Sequence, residues 1–414
     1  MRLIAVGTAS VAEGLCLIHA TVGPSALHAP LKRAENAGQS RPHELEERVA
    51  ESAQPGGVAP QADGKTDETQ AAKAPMWGPL LIGLLIALVM VTIMATTYIS
   101  ANHAVVAHNL PWGVTGSSPL TTEVQQSVSL DIHQYANQGD LENAANHAEI
   151  YGGFVPQTNT LIINVAASLW APFVMPEAYL KAAEQQGVKL HVTPINLLPP
   201  EDPEGVVPGL ALFVLLVAGY LGSTFAMQRT KMATAHRRVT ALFGYSIVVA
   251  LVVDLIAGPI LGAYPDVGSN FWKLWPAFAL ICFAVALLAA TLQSLIGPLG
   301  TLVTVIVVVF VGNPSTGGGN GVAYLPPFWQ DIGVVLPPRN GLYLIRNILY
   351  FHGNSITQPL IVLGIYVLVG AALVIFFSWG NVLWWRGDER KGGKKPHETI
   401  SPQEETGTAA IPPG

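Results

Sequence analysis

Residues 274–312 read LWPAFALICFAVALLAATLQSLIGPLGTLVTVIVVVFVG, 39 consecutive positions without a charged side chain. A helix crossing a bilayer core of about 30 Å needs roughly 20 apolar residues at about 1.5 Å each. The stretch is therefore too long for one crossing and of the right length for two. Gln293, Ser294, Gly297 and Pro298 fall near its middle, where a tight turn is expected. The segment reads as a helical hairpin, 274–292 and 296–312. Working outward, similar apolar runs occupy 76–99, 207–227 and 358–379, and a further one, 240–262, is interrupted only by Asp254. The expected fold class is an α-helical polytopic membrane protein with six transmembrane helices. A small α/β extracytoplasmic domain is expected between helices 1 and 2.

Composition agrees with that class. The 414 residues are 50% hydrophobic and only 12% charged, about half the charge of an ordinary soluble domain. Such a chain is neither a disordered regulator nor a coiled coil. Its net charge of −6 gives no basic footprint for nucleic acid. Two cysteines, Cys16 and Cys282, imply no disulfide framework.

The few charges are informative by position. Arg229, Lys231, Arg237 and Arg238 crowd the loop 228–238 without an acid, and Arg386, Arg390, Lys391, Lys394 and Lys395 follow the last span. Segment 101–206 holds Lys181 and Lys189 against ten acids. Positive loops stay inside, so the loop and tail are expected in the cytoplasm and segment 101–206 outside. Six crossings with both termini cytoplasmic satisfy every loop, as expected of a multi-pass plasma-membrane protein. Residues 1–29 are apolar enough for a signal peptide, but Glu13 interrupts the core and Leu27–His28–Ala29 is a poor cleavage site. An unstructured cytoplasmic leader, or a start placed too far upstream, is the favoured reading. Region 30–75 has almost no large apolar residue and is expected to be disordered, as is the tail 381–414.

Within 100–206, Asp140–Ile150 reads as an amphipathic helix stopped by Gly152 and Gly153. Short strands are expected at 154–156 and 160–166, around a turn at 157–159. A second helix is expected at 176–186, with Pro176 in its first turn and Gly187 at its stop, followed by a strand at 188–193. His103, His108, His133, His147 and His191 show no metal-site spacing, and no Gly-x-Ser-x-Gly nucleophile elbow occurs. Neither a cofactor nor enzymatic activity is expected.

Three stretches carry a resemblance: YGGFVPQTNTLIINVAAS from Tyr151, NLLPPEDPEG from Asn196, and GNPSTGGGNGVAYLPPFWQDIGVVLPP from Gly312. Over about 78–385 the chain resembles the bacterial phage-infection-protein (YhgE/Pip) group, a branch of the ABC-2-type permease-like superfamily. The resemblance implies one span, an external domain and five further spans. It also implies a permease-like export subunit, working as a homo- or heterodimer, that moves a hydrophobic or amphipathic compound outward. No Walker phosphate-binding loop is present, so a separate ATP-binding subunit would have to dock on the cytoplasmic face. The alternative, from another class, is a non-transporting envelope protein whose external domain acts as a receptor or binds a partner.

The residues singled out follow from this frame. Arg229, Lys231, His236, Arg237 and Arg238 form a candidate ATPase-docking loop, although positive charge there also serves topology alone. Asp254 is the ionisable residue lying within a span, and reads either as a relay or substrate contact or as a solvated acid near the outer end. Gly258 and Gly262 fit a small-residue helix contact. The connection 313–357 carries short apolar pieces set off by prolines, expected as re-entrant or interfacial helices of an external vestibule, or else as a lid on the membrane surface. Asn313, Pro314, Trp329, Arg339 and Arg346 are its candidate functional residues. Trp329, Tyr343, Tyr350 and Phe351 fit an aromatic interface belt, and the two arginines suit lipid phosphate or an anionic substrate.

Overall fold

A computed structural model describes residues 77–229 and 234–392, with side chains for all of these except 229 and 378–392. The expected leader 1–75 and the tail beyond Gly392 lie outside the described residues. Among the described residues, six helices are long and apolar enough to cross a membrane: Trp77–Asn102, Val207–Gln228, Ala235–Ile260, Val267–Ile296, Leu299–Thr316 and Thr357–Phe377.

In chain order the structure opens with α1 (Trp77–Asn102), followed by a small α/β unit. The unit contains β1 (Leu110–Val114), α2 (Pro119–Ser127), β2 (Leu130–Gln134), α3 (Gln138–Asn146), β3 (Gly152–Val155), β4 (Thr160–Asn164), α4 (Ala171–Gln186) and β5 (His191–Ile195). The helical part follows as α5 (Val207–Arg229), α6 (Ala235–Leu255), α7 (Val267–Ile296), α8 (Leu299–Val305), α9 (Pro327–Gly333), α10 (Pro337–Tyr350) and α11 (Thr357–Gly392). Both α6 and α8 run on as π-helical turns, at Ile256–Ile260 and Ile306–Gly312. Helix α11 extends twelve residues past 380, where the sequence reading starts a disordered tail.

The sheet order is β2-β1-β3-β4-β5, parallel throughout except for the β3–β4 hairpin. Three elements here were not expected from sequence: β1, α2 and β2. The expected boundaries also shift, with β4 ending at Asn164 and β5 running His191–Ile195. Helix α3 ends at Asn146, and Gly152 and Gly153 belong to β3 rather than to a helix stop. The carbonyls of Ile162 and Gly113, together with the Trp112 and Leu141 side chains, account for the glycines. A Cβ on Gly152 would lie 2.8 Å from the Trp112 ring, and one on Gly153 would lie 2.6 Å from Leu141. Helix α4 starts five residues before Pro176, which sits inside it, while Gly187 closes it in the left-handed region at φ 65° as expected.

Helices α2 and α4 cover one face of the sheet, and α3 covers the other with Leu141, Ala144 and Ala145 against Ile150, Val155 and Ile162. In the first core the Trp112 and Tyr179 rings stack with centroids 5.8 Å apart, and Trp112 Nε1 donates to Tyr179 Oη at 2.9 Å. Burial pushes the Tyr179 phenol up to about 12, against the opposing hydrogen bonds from Thr121 and Trp112. A phenol that ionises near 10 when unfolded and near 12 when folded keeps its proton more tightly in the native state. Its contribution to stability is therefore complete below pH 10 and is lost as pH rises to 12. The thermal midpoint should fall across that window, and in Tyr179→Phe the fall should be smaller; an unchanged slope would contradict the assignment.

In the helical part α7 is the central element, packing on α5, α6, α8, α10 and α11. Ile281, Cys282, Ala284, Val285 and Leu287 along it are fully buried. The second half of helix α1 packs on the turns 306–312 and 314–316, and Ala101 packs with Leu325 and Trp329, while Leu80, Leu84, Leu88 and Val91 are exposed. An apolar helix exposed in this way is what hydrocarbon accommodates.

Candidate functional site

Three polar clusters interrupt this apolar framework. The first is built by the end of α6. Asp254 is fully buried and not exposed to solvent. Its Oδ1 accepts from Tyr264 Oη at 2.6 Å, and its Oδ2 is buried without a partner. The π-helical turn at 256–260, which contains Pro259, carries the chain round so that Tyr264 folds back on the helix it has just left. Gly258 makes room for the phenol, since a Cβ there would lie 2.3 Å from Tyr264 Oη. Within the chain Gly258 packs on Tyr264 rather than on a neighbouring helix. Gly262 has open space around its Cα and closes the turn at φ 60°.

The second cluster lies where α5 ends, α6 begins and the α7–α8 hairpin turns. The turn is made by Gly297, at φ 62°, and Pro298. Gln293, read from sequence as part of the turn, is instead a buried residue of α7. Its Oε1 accepts from Ser223 Oγ at 2.9 Å and Arg238 Nη2 at 3.0 Å, and its Nε2 donates to Thr224 and Thr301 hydroxyls at 3.0 Å. One amide thereby joins four helices. Arg238 is half-buried here with its Nε lacking a partner, whereas His236 and Arg237 are exposed. The candidate docking loop therefore divides: Arg238 faces inward, and His236 and Arg237 face out. The side chain of Arg229 and all of Lys231 lie outside the described residues.

The third cluster is the connection 313–357, and it clamps the helices to the sheet unit. Asn313 Nδ2 donates to Tyr98 Oη of α1 at 3.0 Å, and Pro314 is buried in a short 3-10 turn. Arg346 donates from Nη1 to Gly318 O at 2.7 Å and from Nη2 to Ala166 O at 2.5 Å. Arg339 donates to Gln330 O and lies 5.5 Å above the Tyr343 ring. Ala323 and Tyr324 complete the Trp112 core, and Ser355 Oγ donates to His147 O at 2.7 Å. The short helices expected in this segment are present as α9 and α10. Helix α10 is an integral part of the bundle, buried along Leu342, Leu344, Ile345 and Ile348. The expected aromatic belt is not formed, because Trp329, Tyr350 and Phe351 are buried and pack inward.

Sequence reading missed the acid that anchors this cluster. Asp202, 3% exposed, accepts from the backbone N–H groups of Val206 and Val207 at 2.9 and 3.1 Å, and it also accepts from Tyr350 Oη. Burial and this carboxylate push the Tyr350 phenol well above its ordinary range. The available signal was Asp202 in PEDPEG just before a span, since an acid there satisfies free amides and complements the helix dipole. Among the described residues, no group of three or more His, Cys, Asp or Glu is placed to hold a metal ion.

The chain matches no family model, no curated protein and no solved structure. Its functional reading therefore rests on its own geometry.

Proposed function

We propose that the chain is the membrane subunit of an ABC-2-type exporter, moving a hydrophobic or amphipathic compound outward with energy from a separate ATP-binding subunit. The observation that carries this reading is the build of segment 313–357. Of the two short helices between the fifth and sixth apolar helices, α10 packs on α5, α7 and α11, and its Arg346 ties the bundle to the folded unit that follows the first. An anchor for a receptor domain needs no such buried helix, whereas a pathway that must be closed at one end does. The charge distribution supports a plasma-membrane orientation with the sheet unit outside and the α5–α6 loop inside. On that orientation Arg237 and His236 face the cytoplasm as the docking surface for the ATP-binding subunit. The exposed apolar surface of α1 suits lipid, and a dimer would place the pathway between two copies.

The test separates the two kinds of cation. Arg237→Glu should abolish co-purification of the ATP-binding subunit while leaving the thermal midpoint unchanged. Arg238→Gln should lower the midpoint by breaking the Gln293 cluster. Undiminished co-purification with Arg237→Glu would contradict docking at this loop.

A further inference from the structure

Two cavities are lined by successive turns of α11. The first, about 230 Å³, is lined by several polar side chains, among them His147 and Glu149 of the sheet unit, Arg339 and Tyr343 of α10 and Gln358 of α11. The second, about 420 Å³, is an apolar groove between α7 and α11 that includes Leu288, Val362, Ile365, Val369 and Leu373. Val334 lines one cavity and Val335 the other, and Tyr366 Oη donates to Val335 O at 3.1 Å. Along α11, Gln358, Val362, Ile365, Val369 and Leu373 recur every three or four residues, so one helix face passes from the first cavity into the groove.

Dimensions and charge select the occupant. From Val362 to Leu373 the groove runs about 16 Å at about 1.5 Å per residue. That is close to half of an about 30 Å hydrocarbon core, the depth of one leaflet. Arg339 and Glu149 both line the first cavity, yet neither takes part in an ion pair among the described residues. Arg339 spends one donor on Gln330 O, and its planar guanidinium suits a phosphodiester. Glu149 offers the complementary acceptor for an ammonium group. A purely anionic headgroup would leave Glu149 repelled, and a free phosphate would leave the groove empty.

The geometry points to a binding site for a zwitterionic phospholipid, with its phosphodiester on Arg339, its primary ammonium on Glu149 and one acyl chain along α11. Such a lipid would be held whether or not the chain exports anything. The experiment is native mass spectrometry of the delipidated full chain in detergent, titrated with equal amounts of palmitoyl-oleoyl phosphatidylethanolamine and phosphatidylglycerol. Wild type should retain the ethanolamine lipid at least tenfold better. Arg339→Gln should cut that retention tenfold or more, Glu149→Gln should erase the preference between the two lipids, and Ile365→Trp should fill the groove and weaken both. Glu149 and Ile365 are exposed, so these two variants decide the matter even where Arg339→Gln fails to fold. Equal retention of the two lipids by wild type, or undiminished retention by Ile365→Trp, would show annular lipid only and overturn the site.

Discussion

Asp202→Ala should destabilise the full chain by about 3 kcal/mol, since it strips a buried hydrogen-bond acceptor from three donors at once. Two of those donors are the backbone amides of Val206 and Val207 that open α5, and the third is the buried Tyr350 phenol of α10. The removed carboxylate is also the junction between the sheet unit, the second apolar helix and the segment 313–357. Asp202→Asn keeps an acceptor oxygen and should cost about half as much. Tyr350→Phe leaves both amide bonds in place and should cost about 1 kcal/mol. Because the two side chains share one interaction, the double variant Asp202→Ala/Tyr350→Phe should fall short of the sum of the single losses. Thermal unfolding in detergent micelles reads all four. A loss under about 0.5 kcal/mol for Asp202→Ala, the range of ordinary surface substitutions, would show that the junction does not hold the fold.

Gly258→Ala is the second large effect. Its added Cβ would fall 2.3 Å from Tyr264 Oη and 2.6 Å from the phenol carbon bearing it, so the ring must leave. Asp254 would then lose its bond to Tyr264 in an apolar setting where its Oδ2 already has no partner. Breaking a buried polar pair by removing one member costs about 3–5 kcal/mol where a charge is left bare. Tyr264→Phe deletes the same hydrogen bond without displacing the ring and should cost less than Gly258→Ala. Asp254→Asn retains an acceptor for Tyr264 and should be the mildest of the three. A reversed order, with Gly258→Ala harmless, would mean that the turn at 256–260 relaxes freely and that the pair is not structurally coupled to it.

Much of the helical part was legible because hydrocarbon imposes a simple rule on sequence. The 39-residue uncharged run had to fold back, and Gly297–Pro298 marked where. Asp254 stood out for the same reason: a carboxyl inside an apolar run must be answered by something. Its partner was not legible, because Tyr264 lies outside the run and reaches Asp254 only through a π-helical turn that shifts the helical register. Gln293 was misread since an uncharged amide beside Gly and Pro looks like a turn residue. Only the packing of four helices shows that both ends of that amide are used. In the sheet unit, β1 reads LPWGV, where Pro111 and Gly113 are ordinary strand breakers. Gly113 is tolerated because Leu141 and Ile150 occupy the space a side chain would take. Gly152 and Gly153 mimic a helix stop for a similar reason, their missing side chains leaving room for Trp112 and Leu141. The charges of 228–238 suggest an orientation, but do not say which of them face inward. That division between Arg238 and Arg237 depends on where α6 begins relative to Gln293.

The central claim is that this chain is one half of an energised pair, membrane subunit and ATP-binding subunit. Isolation of the full chain from its own membrane in mild detergent, followed by mass spectrometry of whatever accompanies it, tests that most directly. The account predicts a nucleotide-binding subunit recovered in stoichiometric amount with the wild-type chain. Recovery of the chain without such a subunit would contradict it.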